Sequence, residues 1–148
     1  LERICDLASN IAERALYITQ QPKIGAPFDL LGMARKVQIM LRDSLASLVN
    51  LDTNLARQVC RADREIDTMH REVYERVENA MREQPESLGY LITLLVAARH
   101  LERIADHATN ITEDVLYLVE GEIQRHQPTH TANPQRSLEK PLSAPPSP

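Results

Sequence analysis

The sequence is poor in aromatic residues, with no tryptophan and one phenylalanine among its 148 residues. Hydrophobic residues still make up 43% of the chain, so its core has to be built from aliphatic side chains. A chain of this length has room for about one domain. We therefore expect an all-α fold, an antiparallel helical bundle with an aliphatic core.

Cysteine is also scarce, since Cys5 and Cys60 are the only two. They are too few for a disulfide framework and lie within helical patterns, so we expect small buried side chains in a reducing cytoplasm. No apolar run approaches the roughly 18 residues of a membrane span, and we expect no basic-then-apolar leader before Leu1. We expect a cytoplasmic protein without membrane insertion.

Positive charge is the third deficit, because the formal net charge is −4 at pH 7. Nucleic-acid binding depends on contacts between a basic surface and phosphate groups. The acidic balance therefore argues against nucleic acid as a partner.

The most informative stretch of the chain runs from His100 to Glu120. If this stretch is a helix, each residue is rotated by about 100° from the one before it, and a line of polar residues then lies beside an apolar stripe. The polar line consists of Glu102, Asp106, Asn110 and Glu113 and continues the line of Leu88, Ile92 and Leu95; the stripe consists of Leu94, Ala98, Leu101, Ala105, Ala108, Ile111, Val115 and Leu118. Because the stripe must pack against other helices, we expect the acids beside a helix-helix interface.

The first twenty residues repeat residues 101–120. Eleven of the twenty residues are identical in the two segments. The polar line recurs as Glu2, Asp6, Asn10 and Glu13, and the apolar face of the first segment consists of Ile4, Ala8, Ile11, Ala15 and Ile18. A repeat this far apart indicates two tandem copies of one helical unit, the first largely missing. We expect the apolar face of this first helix to pack on the second unit or on another chain.

Apolar periodicity and capping residues predict four helices. They run from 1 to about 19, from the N-cap Asp29 to 49, from 54 to 83 before Pro85, and from 86 to 120 before Gly121. Residues 122–148 are rich in proline, and we expect them to form a disordered tail.

The third predicted helix carries a second carboxylate pair, Asp63 and Asp67, at the edge of its apolar stripe. On antiparallel neighbouring helices this pair would face Glu102 and Asp106. Carboxylates held this close repel one another unless protons or a cation intervene. Oxygen ligands suit Mg²⁺, Mn²⁺, Ca²⁺ or iron better than a structural zinc. We expect an oxygen-ligated metal ion whose identity the residues do not fix, with iron, manganese, magnesium and zinc all retained.

A second interpretation makes the same acids ordinary surface salt bridges. Arginines lie at helical spacings of three or four residues from them, namely Arg64, Arg71, Arg99 and Arg103. Such intrahelical pairs are common and contribute roughly 0.2 to 0.5 kcal/mol each. The recurrence of the acidic line in a second copy, together with the pair on the third helix, favours the metal site.

These motifs together resemble the PhoU family. The resemblance is carried by Glu-Arg-Ile-x-Asp-x-x-x-Asn starting at Glu2 and again at Glu102, by Asp63-x-x-x-Asp67, and by Leu-Gly-Met-Ala at residues 31–34. It covers residues 1 to about 121 and implies two tandem three-helix bundles. Residues 1–20 would be the last helix of the first bundle, and residues 28–121 the complete second one.

The resemblance also implies a metal site and a function. A multinuclear site maps to Asp63, Asp67, Glu102 and Asp106, while Glu2 and Asp6 belong to a first site whose partner helix is absent. PhoU-like proteins are cytoplasmic negative regulators of phosphate uptake and of the phosphate-starvation response. They are thought to connect a phosphate ABC transporter ATPase with a sensor histidine kinase.

The sequence itself favours an adaptor over an enzyme. It contains no glycine-rich phosphate loop, nucleophile elbow or Cys-His pair. We expect a homo-oligomeric adaptor. One alternative is a di-iron carboxylate enzyme, which requires Glu-x-x-His on two helices; the near match Asp67-x-x-His70 stands alone. The other alternative is a purely structural helical module with salt-bridged rims.

Overall fold

The computed structural model describes residues 1–20 and 25–121. These residues form four α-helices and one 3₁₀ turn, and the described ranges contain no strand. The helices are α1 (Glu2–Thr19), α2 (Leu30–Asn50), α3 (Thr53–Glu83) and α4 (Leu88–Glu120), with the 3₁₀ turn at Pro85–Ser87. The predicted all-α class is confirmed. The predicted disordered tail, residues 122–148, lies outside the described residues and stays a prediction.

The start of α2 is fixed by a side-chain cap. The Asp29 carboxylate accepts a hydrogen bond of 2.8 Å from the backbone N–H of Gly32, as the sequence predicts for an N-cap. A Cβ on Gly32 would lie 2.1 Å from Asp29 Oδ2. A side chain at position 32 would therefore force the capping carboxylate of Asp29 to move.

The turn between α2 and α3 reverses the chain within two residues. Leu51 adopts the left-handed conformation at φ 52°, and the Asp52 N–H donates to the Ser47 carbonyl at 3.0 Å. The Asp52 carboxylate accepts from the N–H groups of Asn54 and Leu55 at 2.9 and 3.0 Å, which caps α3. Helices α2 and α3 are consequently antiparallel neighbours.

Helices α3 and α4 are also antiparallel. Near the start of α3, Arg57 pairs with Glu120 at the end of α4, and Cys60 Sγ lies 3.3 Å from Thr112 Oγ1. Pro85 ends α3 as predicted, but the 3₁₀ turn makes α4 begin at Leu88, two residues later than expected. Gly121 caps α4 at φ 69°.

The core is aliphatic and is shared by α2, α3 and α4. Its most deeply buried large side chains are Met33, Val37, Ile66, Val77, Leu91, Val115 and Leu116. The predicted stripe of α4 is buried from Leu94 to Val115, except that Ile111 is partly exposed and Leu118 is exposed. The other predicted line differs, because Leu88 and Ile92 are about half exposed. At the start of α4 this line is therefore more exposed than the apolar stripe, whereas Glu102 and Asp106 farther along it are partly buried.

Among the described helices, α1 contacts α4 alone. Ile4 and Leu7 are buried, and Ile11 and Ile18 pack against the same core, so the apolar face of α1 packs on the helices of this chain, which is one of the two expected outcomes. Ala8, which the pattern placed on this face, is exposed, as is Ala15. The prediction of buried cysteines was wrong for Cys5, which is exposed, and Cys60 is only partly buried. Cys5 is exposed because it lies on a side of α1 that no described helix covers.

None of the helices in the described ranges combines the length and the apolar character needed to cross a membrane.

Candidate carboxylate site

Four of the predicted site residues lie where α3 runs antiparallel to α4. Asp63 and Asp67 come from α3, one helical turn apart, and Glu102 and Asp106 come from α4 with the same spacing. Asp63 is 3% exposed, and the other three are partly buried. A carboxylate this deeply buried is unusual in a helical core, because burial disfavours its charged form.

The pKa of Glu102 shows that these acids act on one another. Burial raises the pKa of its carboxyl most strongly, and the negative charges of Asp106 and Asp67 raise it further. The guanidinium of Arg99 opposes these effects, ranking below both carboxylates, and Asp63 adds a smaller upward contribution. The structure therefore brings the other three predicted acids within electrostatic range of Glu102.

The relative size of these effects on the pKa of Glu102 argues against the salt-bridge interpretation. For Glu102, repulsion from Asp106 and Asp67 each outweighs the attraction of Arg99, whereas a simple surface ion pair would reverse that order. Arg71, a candidate partner of Asp67, donates to the hydroxyl of Thr68 at 3.1 Å. Burial and neighbouring carboxylates, rather than arginine, dominate the environment of Glu102.

The metal prediction itself stays a prediction. Across residues 1–20 and 25–121, no three His, Cys, Asp or Glu side chains are arranged as the ligands of one metal ion. The chemistry of the donor set still fits a hard cation, because all four donors are carboxylates, and burial together with repulsion from the other carboxylates raises the pKa of Glu102. A bound cation would reduce that repulsion.

The two acids predicted for the first site lie elsewhere. Glu2 and Asp6 are exposed on the first two turns of α1. The carboxylates that raise the pKa of Glu102 belong to α3 and α4. The acids of the second predicted site therefore lie near one another between α3 and α4. Glu2 and Asp6 lie on the exposed surface of α1.

Two further side chains lie at this site and were not predicted there. His70 Nε2 is buried and has no hydrogen-bond partner among the described residues, and its ring meets that of Tyr74 edge-on at a centroid distance of 5.2 Å. Burial lowers the pKa of His70, Asp67 and Asp106 raise it, and Arg99 lowers it. Burial raises the pKa of Cys60, with upward contributions from Glu113 and Asp63.

A sequence signal for these neighbours did exist. Residues 60, 63, 67, 70 and 74 recur at intervals of three and four, which places them along one face of α3. Following the face beyond the two aspartates would have added Cys60 and His70 to the candidate site.

Comparison with known proteins finds one matching family model and several similar proteins. The PhoU domain model matches residues 30–115, a range that contains all four acids. A Pseudomonas putida protein is 35% identical over 127 residues, covering 85% of this chain and 50% of that protein. An Aquifex aeolicus protein is 38% identical over 127 residues, covering 86% and 58%, and a Synechocystis protein is 37% identical over 124 residues, covering 82% and 54%.

All three relatives are named phosphate-specific transport system accessory protein PhoU homolog. The chain spans about half the length of the curated relatives it matches.

Proposed function

We propose that this chain, which belongs to the PhoU family, takes part in the control of phosphate uptake. The observation that carries the proposal is the PhoU domain match over residues 30–115, together with relatives named as accessory proteins of phosphate-specific transport. The matched range includes both carboxylate pairs. The role belongs to the carboxylate site and the helices that surround it.

The finer role is that of a cytoplasmic negative regulator. It acts as an adaptor between the ATPase of a phosphate ABC transporter and a sensor histidine kinase, and it lowers phosphate uptake and the starvation response when phosphate is abundant. It catalyses no reaction. The accessory-protein names of the relatives support a non-enzymatic role.

A metal ion completes the carboxylate site. Asp63, Asp67, Glu102 and Asp106 hold an oxygen-ligated ion, with iron, manganese, magnesium and zinc as the candidates. The raised pKa of Glu102 supports this assignment, because the site disfavours its own negative charge in the absence of a cation. Glu2 and Asp6 serve a first site of the same kind.

The domain arrangement follows the repeat. Residues 1–20 form the last helix of a first unit, and residues 28–121 form a complete three-helix unit. The exposed side of α1, which carries Cys5, Ala8 and Ala15, supports self-association, because no described helix covers it.

The regulatory role is tested by supplying the chain to a bacterial strain that lacks its own PhoU protein. At high phosphate, the chain should lower the activity of a phosphate-responsive reporter below the level of an empty vector. The variant with Asn or Gln at all four acids should lose this effect, whereas Asp114→Asn, which changes an exposed acid on α4, should keep it.

Binding provides the second measurement. The purified chain should bind the purified transporter ATPase or the cytoplasmic part of the sensor kinase. If the folded chain neither lowers the reporter nor binds either protein, the regulatory proposal is wrong. If the four-acid variant represses as well as wild type, regulation does not depend on the carboxylate site.

A further inference from the structure

A group of basic side chains lies where α1 packs on α4. Arg99 and His100 precede Arg103 by four and three residues on α4, and residues at these spacings are neighbours on a helix surface. Arg14 belongs to α1. The three arginines are exposed, and His100 is partly buried. We call these four side chains the basic cluster.

The direction of α1 brings Arg14 toward this part of α4. Near the end of α1, Tyr17 Oη lies close to Gly89, the second residue of α4, because a Cβ on Gly89 would lie 3.3 Å from it. If α1 ran parallel to α4, Arg14 would lie beyond the start of α4, roughly 20 Å along the axis from His100. The charge of Arg14 nevertheless lowers the pKa of His100. Helices α1 and α4 are therefore antiparallel.

The electrostatic environment of His100 shows that the basic cluster is cationic. Burial lowers the pKa of His100 most, and the guanidiniums of Arg103, Arg14 and Arg99 lower it further, in that order. No carboxylate is among the groups that shift this pKa, although Glu102 lies two residues away on the same helix. The charges that act on His100 are therefore all positive.

The polar groups of the basic cluster lack close partners within the fold. Ion pairs among the described residues use other cations, namely Lys36, Arg42, Arg57, Arg76 and Arg82. His100 Nδ1 is buried and has no hydrogen-bond partner among those residues, although buried polar atoms nearly always have one. In a chain whose formal net charge is −4, three guanidiniums without an ion pair around such a ring indicate a site for an anion.

We propose that the basic cluster, Arg14, Arg99, His100 and Arg103, binds inorganic phosphate where α1 packs on α4. Guanidinium groups match the geometry of phosphate oxygens and can donate two hydrogen bonds to one anion. Phosphate has enough acceptor oxygens to be shared by several guanidiniums, whereas a carboxylate has only two. The choice of free phosphate as the anion rests on the proposed function, but the evidence for a cationic site does not.

The test is an NMR titration of the full, metal-free chain with sodium phosphate at constant, low ionic strength. Saturable shifts should appear in the amide signals of Arg14 and of residues 99–103. Arg14→Gln and Arg103→Gln should each weaken binding at least fivefold, because each removes one charge and its paired donors. Arg99 is left unchanged because it also acts on Glu102 in the carboxylate site.

Two controls separate this site from general attraction of anions and from misfolding. Arg35→Gln removes an exposed arginine of α2 that is likewise in none of the ion pairs, and it should leave the affinity unchanged. Sodium acetate at the same ionic strength should not displace phosphate. All three variants should melt within a few degrees of wild type, because they change exposed side chains.

Several results would overturn the proposal. Shifts that do not saturate, or an equal loss of affinity with Arg35→Gln, would show only unspecific attraction. Tighter binding of O-phosphoserine than of phosphate would assign the site to a phosphorylated partner instead of the free ion. The regulatory proposal is judged separately: a silent reporter rejects it even if phosphate binds, and absent phosphate binding rejects this site even if the reporter responds.

Discussion

Replacing Glu102 with glutamine should change stability in opposite directions in the absence and in the presence of a metal ion. Burial and the charges of Asp106 and Asp67 raise the pKa of Glu102 above its ordinary value of 4.5. The folded protein therefore holds this proton more tightly than the unfolded chain does. Its stability falls as the pH rises from the unfolded pKa through the folded pKa.

Glu102→Gln removes that loss because glutamine cannot ionise. The metal-free variant should be more stable than metal-free wild type near neutral pH. The difference should shrink as the pH is lowered toward 4.5, the value at which the unfolded carboxyl takes up its proton.

In the presence of the metal ion, the Glu102→Gln variant should instead be less stable than wild type. An ion that binds only the folded state stabilises it by about 2.7 kcal/mol at one hundred times its Kd. For a domain of about 100 ordered residues this corresponds to a rise in Tm of roughly 10 to 20 °C. Because Glu102→Gln removes one of the four carboxylates, its affinity for the ion falls. The variant should therefore retain only a fraction of the rise in Tm.

The assay is thermal unfolding followed by circular dichroism from pH 5 to 8, after chelation and again with added Mn²⁺, Mg²⁺, Fe²⁺ or Zn²⁺. Asp114→Asn is the matched control because it removes an exposed acid from the same helix. The reasoning fails if metal-free Glu102→Gln melts below wild type near pH 7. It also fails if the variant keeps the full metal-induced rise.

Three further predictions concern the cap of α2, the packing of α1 and the two cysteines. Asp29→Ala removes the N-cap of α2 and should lower the free energy of unfolding by about 1 kcal/mol in urea titrations; no change would mean that water replaces the cap. Leu7→Ala should weaken the attachment of α1 to α4 by roughly 2 to 3 kcal/mol, seen in hydrogen exchange as faster labelling of residues 2–19 alone; equal acceleration in α3 would show one cooperative unit. A thiol reagent at neutral pH should label exposed Cys5 much faster than Cys60, whose pKa is raised by burial, and equal rates would contradict that difference.

Local physics was enough to predict the helices. Asp29 and Gly121 cap their helices through contacts with the neighbouring backbone, and Pro85 ends α3 because proline cannot continue it. Apolar spacing identifies the apolar face of each helix, although Ala8 and Ala15 on the face predicted for α1 are exposed. The sequence could not foresee the 3₁₀ turn before Leu88, because its apolar pattern is compatible with a helix that starts one residue or two earlier.

The carboxylate site was predicted in part. The four-residue spacing of each pair follows from one helix, but their convergence depends on α3 running antiparallel to α4 in one register. His70 and Cys60 were missed as neighbours because their place beside the acids depends on the partner helix as well as on their own. The raised pKa of Glu102 likewise results from burial and from charges on two helices.

Cys5 shows most clearly what tertiary structure decides. In the internal repeat it corresponds to Ala105, and the two segments are identical at eleven of twenty positions. Ala105 is completely buried, yet Cys5 is exposed. The sequence by itself determined that both segments are amphipathic helices with the same apolar and acidic faces. Which face is covered depends on the helices packed against it: among the helices that the structure describes, α4 contacts α1, α2 and α3, whereas α1 contacts only α4.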